Sequence, residues 1–144
     1  MDIHHKQVGA LPYRLTKSGD LEVLLVTSRG TGQWIIPKGW PIDGVSDPEA
    51  AAREAYEEAG LMGVVDGKQI GTFAYEKETK ESEDLSPFIA EIYPMKVDRQ
   101  LAFWPEFSQR RTTWLSIDLA IQTVTNASLA ALLASAKPIL EKAR

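Results

Sequence analysis

The side chains best suited to chemistry stand close together at Glu54, Glu57 and Glu58. On a helix, separations of three and four residues put Glu57 and Glu58 one turn on from Glu54, so all three carboxylates can converge on one side. Left bare they repel: at ~5 Å and an effective dielectric of ~20, each like-charged pair costs on the order of 3 kcal/mol before screening. A hard divalent cation removes that cost, and carboxylate oxygens are what Mg²⁺ or Mn²⁺ prefer. The plain alternative is a solvated acidic helix face. Arg53, immediately before Glu54, can reach Glu57 four residues on and hold it in one rotamer. A loop ending in Gly39 can offer a backbone carbonyl to the same ion.

These residues need a helix set against a sheet, and the flanking chain predicts both. Ser46-Asp47-Pro48-Glu49 combines a capping residue, a first-turn proline and the spacing of a capping box, so a helix starts there and runs to Gly60, a natural left-handed terminator. Its opposite side, Ala51, Ala52, Ala55 and Ala59, is small enough for close packing on strands. Val8–Thr16 and Leu21–Ser28 read as two strands of a hairpin joined by the turn Lys17-Ser18-Gly19-Asp20. Trp34-Ile35-Ile36 is a short apolar run, followed by a Pro- and Gly-rich structured loop over 37–44. Gln69–Lys77 and Pro87–Val97 read as strands around an exposed acidic loop, and Arg110–Leu115 as another with Trp114 as a core anchor. The chain then turns helical over Ser116–Ala120 and Ser128–Lys142, with Pro138 predicting a kink or break. This order suggests an α+β or layered α/β/α domain.

At 144 residues the chain predicts a single domain over 1–144. Its 44% hydrophobic and 25% charged content is that of an ordinary globular protein. No apolar run approaches the ~20 residues that cross a bilayer, so no membrane partner is expected. The absence of cysteine excludes a disulfide scaffold and a thiolate metal site, and with no secretory signal at the N-terminus a cytoplasmic location is the expectation. A net charge of −4 argues against nucleic acid as a partner and requires phosphate chemistry to be arranged locally, with metal. Monomer and homodimer both stay open.

Gly39 followed by Arg53-Glu54-Ala55-Tyr56-Glu57-Glu58-Ala59-Gly60-Leu61 resembles the Nudix box, G-x5-E-x7-R-E-U-x-E-E-x-G-U with U aliphatic, at the correct spacing. Leu25–Arg29, Trp34–Gly39 and the Arg111–Leu115 strand leading into Ser116-Ile117-Asp118 are similar to the diphosphoinositol-polyphosphate phosphohydrolase-like branch of the Nudix hydrolases. The resemblance implies an α/β/α sandwich with a mixed central sheet. It also implies Mg²⁺-dependent attack of water on the diphosphate of a small-molecule substrate: a nucleoside diphosphate derivative, a dinucleoside polyphosphate or a diphosphoinositol polyphosphate. The metal ligands it implies are Glu54, Glu57, Glu58 and the Gly39 carbonyl. Glu57 or Glu58, with Arg53 in support, is the preferred base over the later acids Glu76, Glu78, Glu81 and Glu83, which read as surface charge.

One departure stands out: the first box glutamate falls on Val45, which has no oxygen to offer. Asp43 could substitute if the loop shifts, though it suits the Ile42-Asp43-Gly44 turn equally. Lys38 and Arg29 flank the loop entering the box and could contact phosphate, with Arg14 on the same side. Arg110 and Arg111 alternate, so at most one faces the site. Trp34, Trp104 and Trp114 read as core, with Phe103-Trp104 able to line a pocket. His4 and His5 are expected in a frayed terminus without a role. A module that senses a nucleotide without cleaving it is the alternative that Val45 supports. Removal of pyrophosphate from an RNA 5′ end gains nothing from the acidic balance.

Overall fold

The computed structural model describes residues 5–76 and 86–142. Its first hairpin is the predicted one: β1 (Lys6–Leu15) and β2 (Leu21–Thr27) run antiparallel, but only Tyr13–Leu15 pair with Leu21–Val23. Beyond that point the two strands part, and the segment after β2 fills the gap. There β3 (Trp34–Ile35) pairs with Val26 and Thr27, and β4 (Lys38–Gly39) pairs with Val8 and Gly9. Gly9 makes the close crossing possible, because a Cβ there would lie 2.5 Å from the Pro37 carbonyl oxygen. The splayed hairpin thus delivers Gly39 to the middle of the sheet.

After helix α1 (Asp47–Ala59) come β5 (Leu61–Val65), β6 (Gly71–Tyr75), β7 (Phe88–Gln100) and β8 (Thr112–Ser116), then α2 (Ile117–Thr123) and α3 (Ala127–Lys142). β7 lies parallel to β1 along Lys6–Tyr13, while its other edge takes β6 and β5 antiparallel, and β8 closes on β2. The sheet is therefore mixed, with the path β3-β2-β1-β7-β5.

Alternation along the strands divides the core in two. On one face Leu11, Leu25, Phe73 and Ile92 pack with Leu129, Leu133 and Ala136 of α3. On the other Ala10, Leu24, Val26 and Met95 receive Ala51, Ala55 and Ala59 of α1, all fully buried. This is the expected α/β/α sandwich, and the small alanine stripe lets α1 lie close to the strands.

One strand is added and one expectation is corrected. β5 is a strand that the sequence pattern does not mark, because Met62, Gly63 and Val64 are exposed and a register shift at Met62/Gly63 removes the alternation of a half-buried strand. Pro138 does not break the last helix, which runs through it to Lys142. The proline faces solvent, and the turn beyond it is anchored by Leu140, 2% exposed in the core. The acidic loop falls largely on residues 77–85, outside the described residues.

A buried carboxylate pair beneath a capped helix end

Both ends of α1 are closed as its sequence predicts. Ser46 Oγ accepts from the Glu49 amide at 3.3 Å, and Gly60 adopts φ 68° with its N–H bonded back to Ala55 and Tyr56. The carbonyls of the last turn would otherwise be orphaned. The segment leaving β7 takes them up one by one. Glu106 N donates to Glu57 O at 3.0 Å, Trp104 Nε1 to Glu58 O at 3.0 Å, and Gln100 Nε2 to Ala59 O at 3.0 Å. The Trp104 ring covers Gly60, where a Cβ would overlap it. Residues 100–110 are thereby fixed beside the carboxylates.

Glu58 is the anomaly of this region: a charged residue type only 2% exposed. It shares a hydrogen bond with Glu54, yet its Oε1 has no hydrogen-bond partner among the described residues. Arg110 Nη1 stands 3.6 Å from that oxygen, close enough for charge attraction and too far for a hydrogen bond. Burial pushes the Glu58 carboxyl up to about 9, opposed by Arg110 and Lys38 and reinforced by Glu54. Burial also raises Glu54, with the Glu58 hydrogen bond opposing and the charges of Glu57 and Glu106 adding. Burial and the neighbouring carboxyl together favour the protonated form of the pair, more than Arg110 and Lys38 offset.

Gly39 presses against this pair. A Cβ on it would overlap the Glu54 carboxyl group, and its φ is not positive, so close approach is what requires glycine here. Glu57 is half-buried and acts on Glu54 through its charge. The expected convergence is therefore partial. Glu54 and Glu58 meet, and among the described residues no three His, Cys, Asp or Glu side chains already surround one point as ligands. The donor set still fits a divalent cation. Its oxygens are hard, two carboxyls meet at a buried position that disfavours their ionisation, and one buried oxygen lacks a hydrogen-bond partner among the described residues.

The other predicted residues divide. Lys38 belongs to the site: its ammonium lies 3.9 Å over the Tyr75 ring and its charge acts on Glu58. Arg29 is exposed and donates to Gln109 Oε1 at 3.1 Å, next to Arg110 in the chain. Arg14 is bound to Glu22 and stacked 4.0 Å over Trp114. It lies five residues along β1 from Gly9, roughly 17 Å from the Gly9–Lys38 pairing, and is not brought to the carboxylates. Arg53 is exposed and forms no ion pair with Glu57 among the described residues. It lines an apolar groove with Tyr56, Leu61 and Met62, because it projects toward β5 while Glu54 projects toward Gly39.

Of the arginine pair, Arg110 faces the carboxylates and Arg111 lies toward Trp34, although both precede the strand. Asp43 is exposed in the turn closed by Val45 N to Ile42 O, and Val45 is half-buried beside it. Glu76 is exposed, while Glu78, Glu81 and Glu83 lie outside the described residues. Trp34 and Trp114 are half-buried at the margins of the two core clusters. His5 is buried against Phe88 instead of frayed, and His4 lies outside the described residues.

Sequence reasoning missed Glu106. Its carboxylate holds Arg110 at 2.7 Å and its charge reaches Glu54. The only local signal was an acid beside Trp104-Pro105, and the helix-end hydrogen bonds that place it span about fifty residues of chain.

The NUDIX domain family model matches residues 3–135. Nudix hydrolase 21, chloroplastic, of Arabidopsis thaliana is 35% identical over 127 residues, 85% of this chain and 61% of that protein. The human diphosphoinositol polyphosphate phosphohydrolase NUDT4B is 32% identical over 106 residues, 72% of this chain and 54% of its own. The chain thus spans only about 60% of the length of the curated plant relative. Among solved structures, a C. elegans Ap4A hydrolase binary complex superposes with a TM-score of 0.76 at 24% identity, covering 95% of this chain and 98% of that one, a likeness of fold. With the family model matched over nearly its whole length and the box residues gathered at one helix and one glycine, the chain belongs to the NUDIX family.

Proposed function

We propose that the chain is a divalent-cation-dependent pyrophosphohydrolase that cleaves a diphosphate linkage in a small molecule. The candidate substrates are a nucleoside diphosphate derivative, a dinucleoside polyphosphate and a diphosphoinositol polyphosphate. The observation that carries this reading is the buried Glu58, short of a partner at Oε1 and held against Glu54 under Gly39. A fold maintains such a pair at a cost when a ligand is to occupy it. Glu54, Glu57, Glu58 and the Gly39 carbonyl would hold Mg²⁺ or Mn²⁺. When bound, such an ion supplies neutralisation of the diphosphate oxygens.

The chain's own residues do the rest. Arg110, fixed by Glu106 and by the Thr27 carbonyl at 3.0 Å, keeps positive charge at the mouth of the pair. Lys38 adds a second cation on the Gly39 side, suited to a phosphate oxygen. Glu57, nearer solvent than Glu58, takes the proton of the attacking water.

A hydrolysis screen over nucleotide sugars, dinucleoside polyphosphates, nucleoside triphosphates and inositol pyrophosphates, run with Mg²⁺, Mn²⁺ and EDTA and read by chromatographic separation of the cleaved products, tests the reading. Turnover should require the cation and disappear in Glu57→Gln; undiminished turnover in that variant overturns the assignment. Val45 favours a second reading, a nucleotide sensor that does not cleave. Calorimetry showing tight nucleotide binding with no product under any cation would select it.

A further inference from the structure

The strand β5 lies at one edge of the sheet, paired with β7 alone. Asp66 N donates to Pro94 O on β7, and the register runs back from there through Val65–Met95 and Val64–Lys96 to Gly63–Val97 without a shift. Antiparallel alternation then turns the N–H and C=O groups of Gly63 and Val65 away from β7, and among the described residues none bonds to them. The neighbouring β6 lies on the same side of β7 but is closed at Ala74, whose N–H donates to Ser128 Oγ and whose carbonyl accepts from Asn126 Nδ2. No such cover reaches β5, and Leu61-Met62-Gly63-Val64-Val65 carries none of the charges or prolines that blunt an exposed edge. Apolar side chains gather beside it instead. Val64 is 67% exposed, and Tyr56 and Met62 stand open around a groove backed by Leu61 and Met95. Phe103 and Phe107 lie on the segment that leaves β7 where Leu101 N meets Gly60 O, next to the start of the strand. Together these five side chains leave on the order of 500 Å² of apolar surface in water. That is the upper range for one patch on a monomer, and with the strand edge it approaches the ~800 Å² per partner of a stable interface.

We infer that this edge is the interface of a homodimer, in which β5 pairs antiparallel with β5 of a second copy and joins the two sheets into one. A two-fold axis at Val64 sets Gly63 of each copy against Val65 of the other, so all the outward-turned backbone groups find partners at once. Val64 then faces Val64 of the second copy as a non-hydrogen-bonded pair, the kind in which side chains come closest. Charge agrees with the same register. It places Asp66 of the second copy opposite Met62, beside the groove that Arg53 lines. Arg53 and Asp66 are both exposed, and neither forms an ion pair among the described residues. The pairing brings these opposite charges together twice, once on each side of the axis.

Sedimentation equilibrium and amide hydrogen exchange on the full chain provide the test. Wild type should be dimeric at about 100 µM, and the Gly63 and Val65 amides should exchange more slowly as concentration rises. The Val64 and Asp66 amides, already turned to β7, serve as the reference. Val64→Lys sets like charges against each other on the axis and should weaken association by about 10-fold or more. Val64 is exposed, so the circular dichroism of that variant should match wild type at dilution. Arg53→Glu and Asp66→Lys should each weaken the dimer by about 3-fold or more, and the double variant should recover most of the loss. Wild type that stays monomeric at that concentration overturns the inference and leaves the edge to a different protein. Dimers that form equally well in Val64→Lys, or Gly63 and Val65 amides indifferent to concentration, overturn it as well.

Discussion

Replacing Glu58 by glutamine should stabilise the cation-free protein, by an amount that grows with pH. In the unfolded chain a glutamate ionises near its ordinary value of 4.5, whereas in the fold burial keeps Glu58 protonated up to about 9. Between those limits the native state holds one proton more than the unfolded state, so stability is complete below 4.5 and falls as pH rises toward 9. The slope is about 1.4 kcal/mol per pH unit, which amounts to about 3 kcal/mol lost by pH 7. Glutamine does not titrate and its amide can still donate to Glu54. Glu58→Gln should therefore match wild type near pH 4.5 and exceed it at pH 7 by about 3 kcal/mol, or roughly 8 °C in Tm for a domain of this size. Thermal denaturation in EDTA at several pH values reads the difference directly. A gap that stays constant with pH, or a variant less stable than wild type at pH 8, would refute the reasoning. The same variant should lose the cation-dependent activity proposed for the site.

Three further substitutions probe the surroundings. Gly39→Ala places a methyl group in the Glu54 carboxyl and should lower cation affinity by about 10- to 100-fold with little change in Tm, measured by Mn²⁺ titration. Arg110→Met leaves Glu106, the Thr27 carbonyl and Glu58 without their cation. It should cost about 2–3 kcal/mol in denaturant unfolding, a loss below ~0.5 kcal/mol contradicting the buried network. Pro138→Ala restores a helix donor at an exposed position and should raise stability by about 1 kcal/mol in the same assay.

What could be read from the sequence was what local chemistry decides. Ser46, Pro48 and Gly60 announce α1 because caps act within a turn of themselves, and the alanine stripe announces its buried face. The carboxylate pair was legible as a set of residue types, while its burial was not. Glu58 sits only two residues before the Gly60 cap, but that cap says nothing of what covers the helix end: Glu58 is enclosed by Trp104 and Arg110, brought in by hydrogen bonds to the end of α1. Trp40 and Phe88 meet across 48 positions of sequence, and neither residue's neighbours predict the contact. Arg53 shows the converse failure. Its i,i+4 spacing to Glu57 is right, yet its helix position directs it toward β5 and the groove beside Tyr56.

The central claim is that a cation replaces a proton held at Glu54 and Glu58. Calorimetric titration of Mn²⁺ at pH 7, repeated in buffers of different ionisation enthalpy, counts the protons released as the ion binds. The account predicts close to one proton per ion at the carboxylate site in wild type, and loss of that binding event in Glu58→Gln. Binding with no proton release, or binding of the same strength in Glu58→Gln, would contradict it.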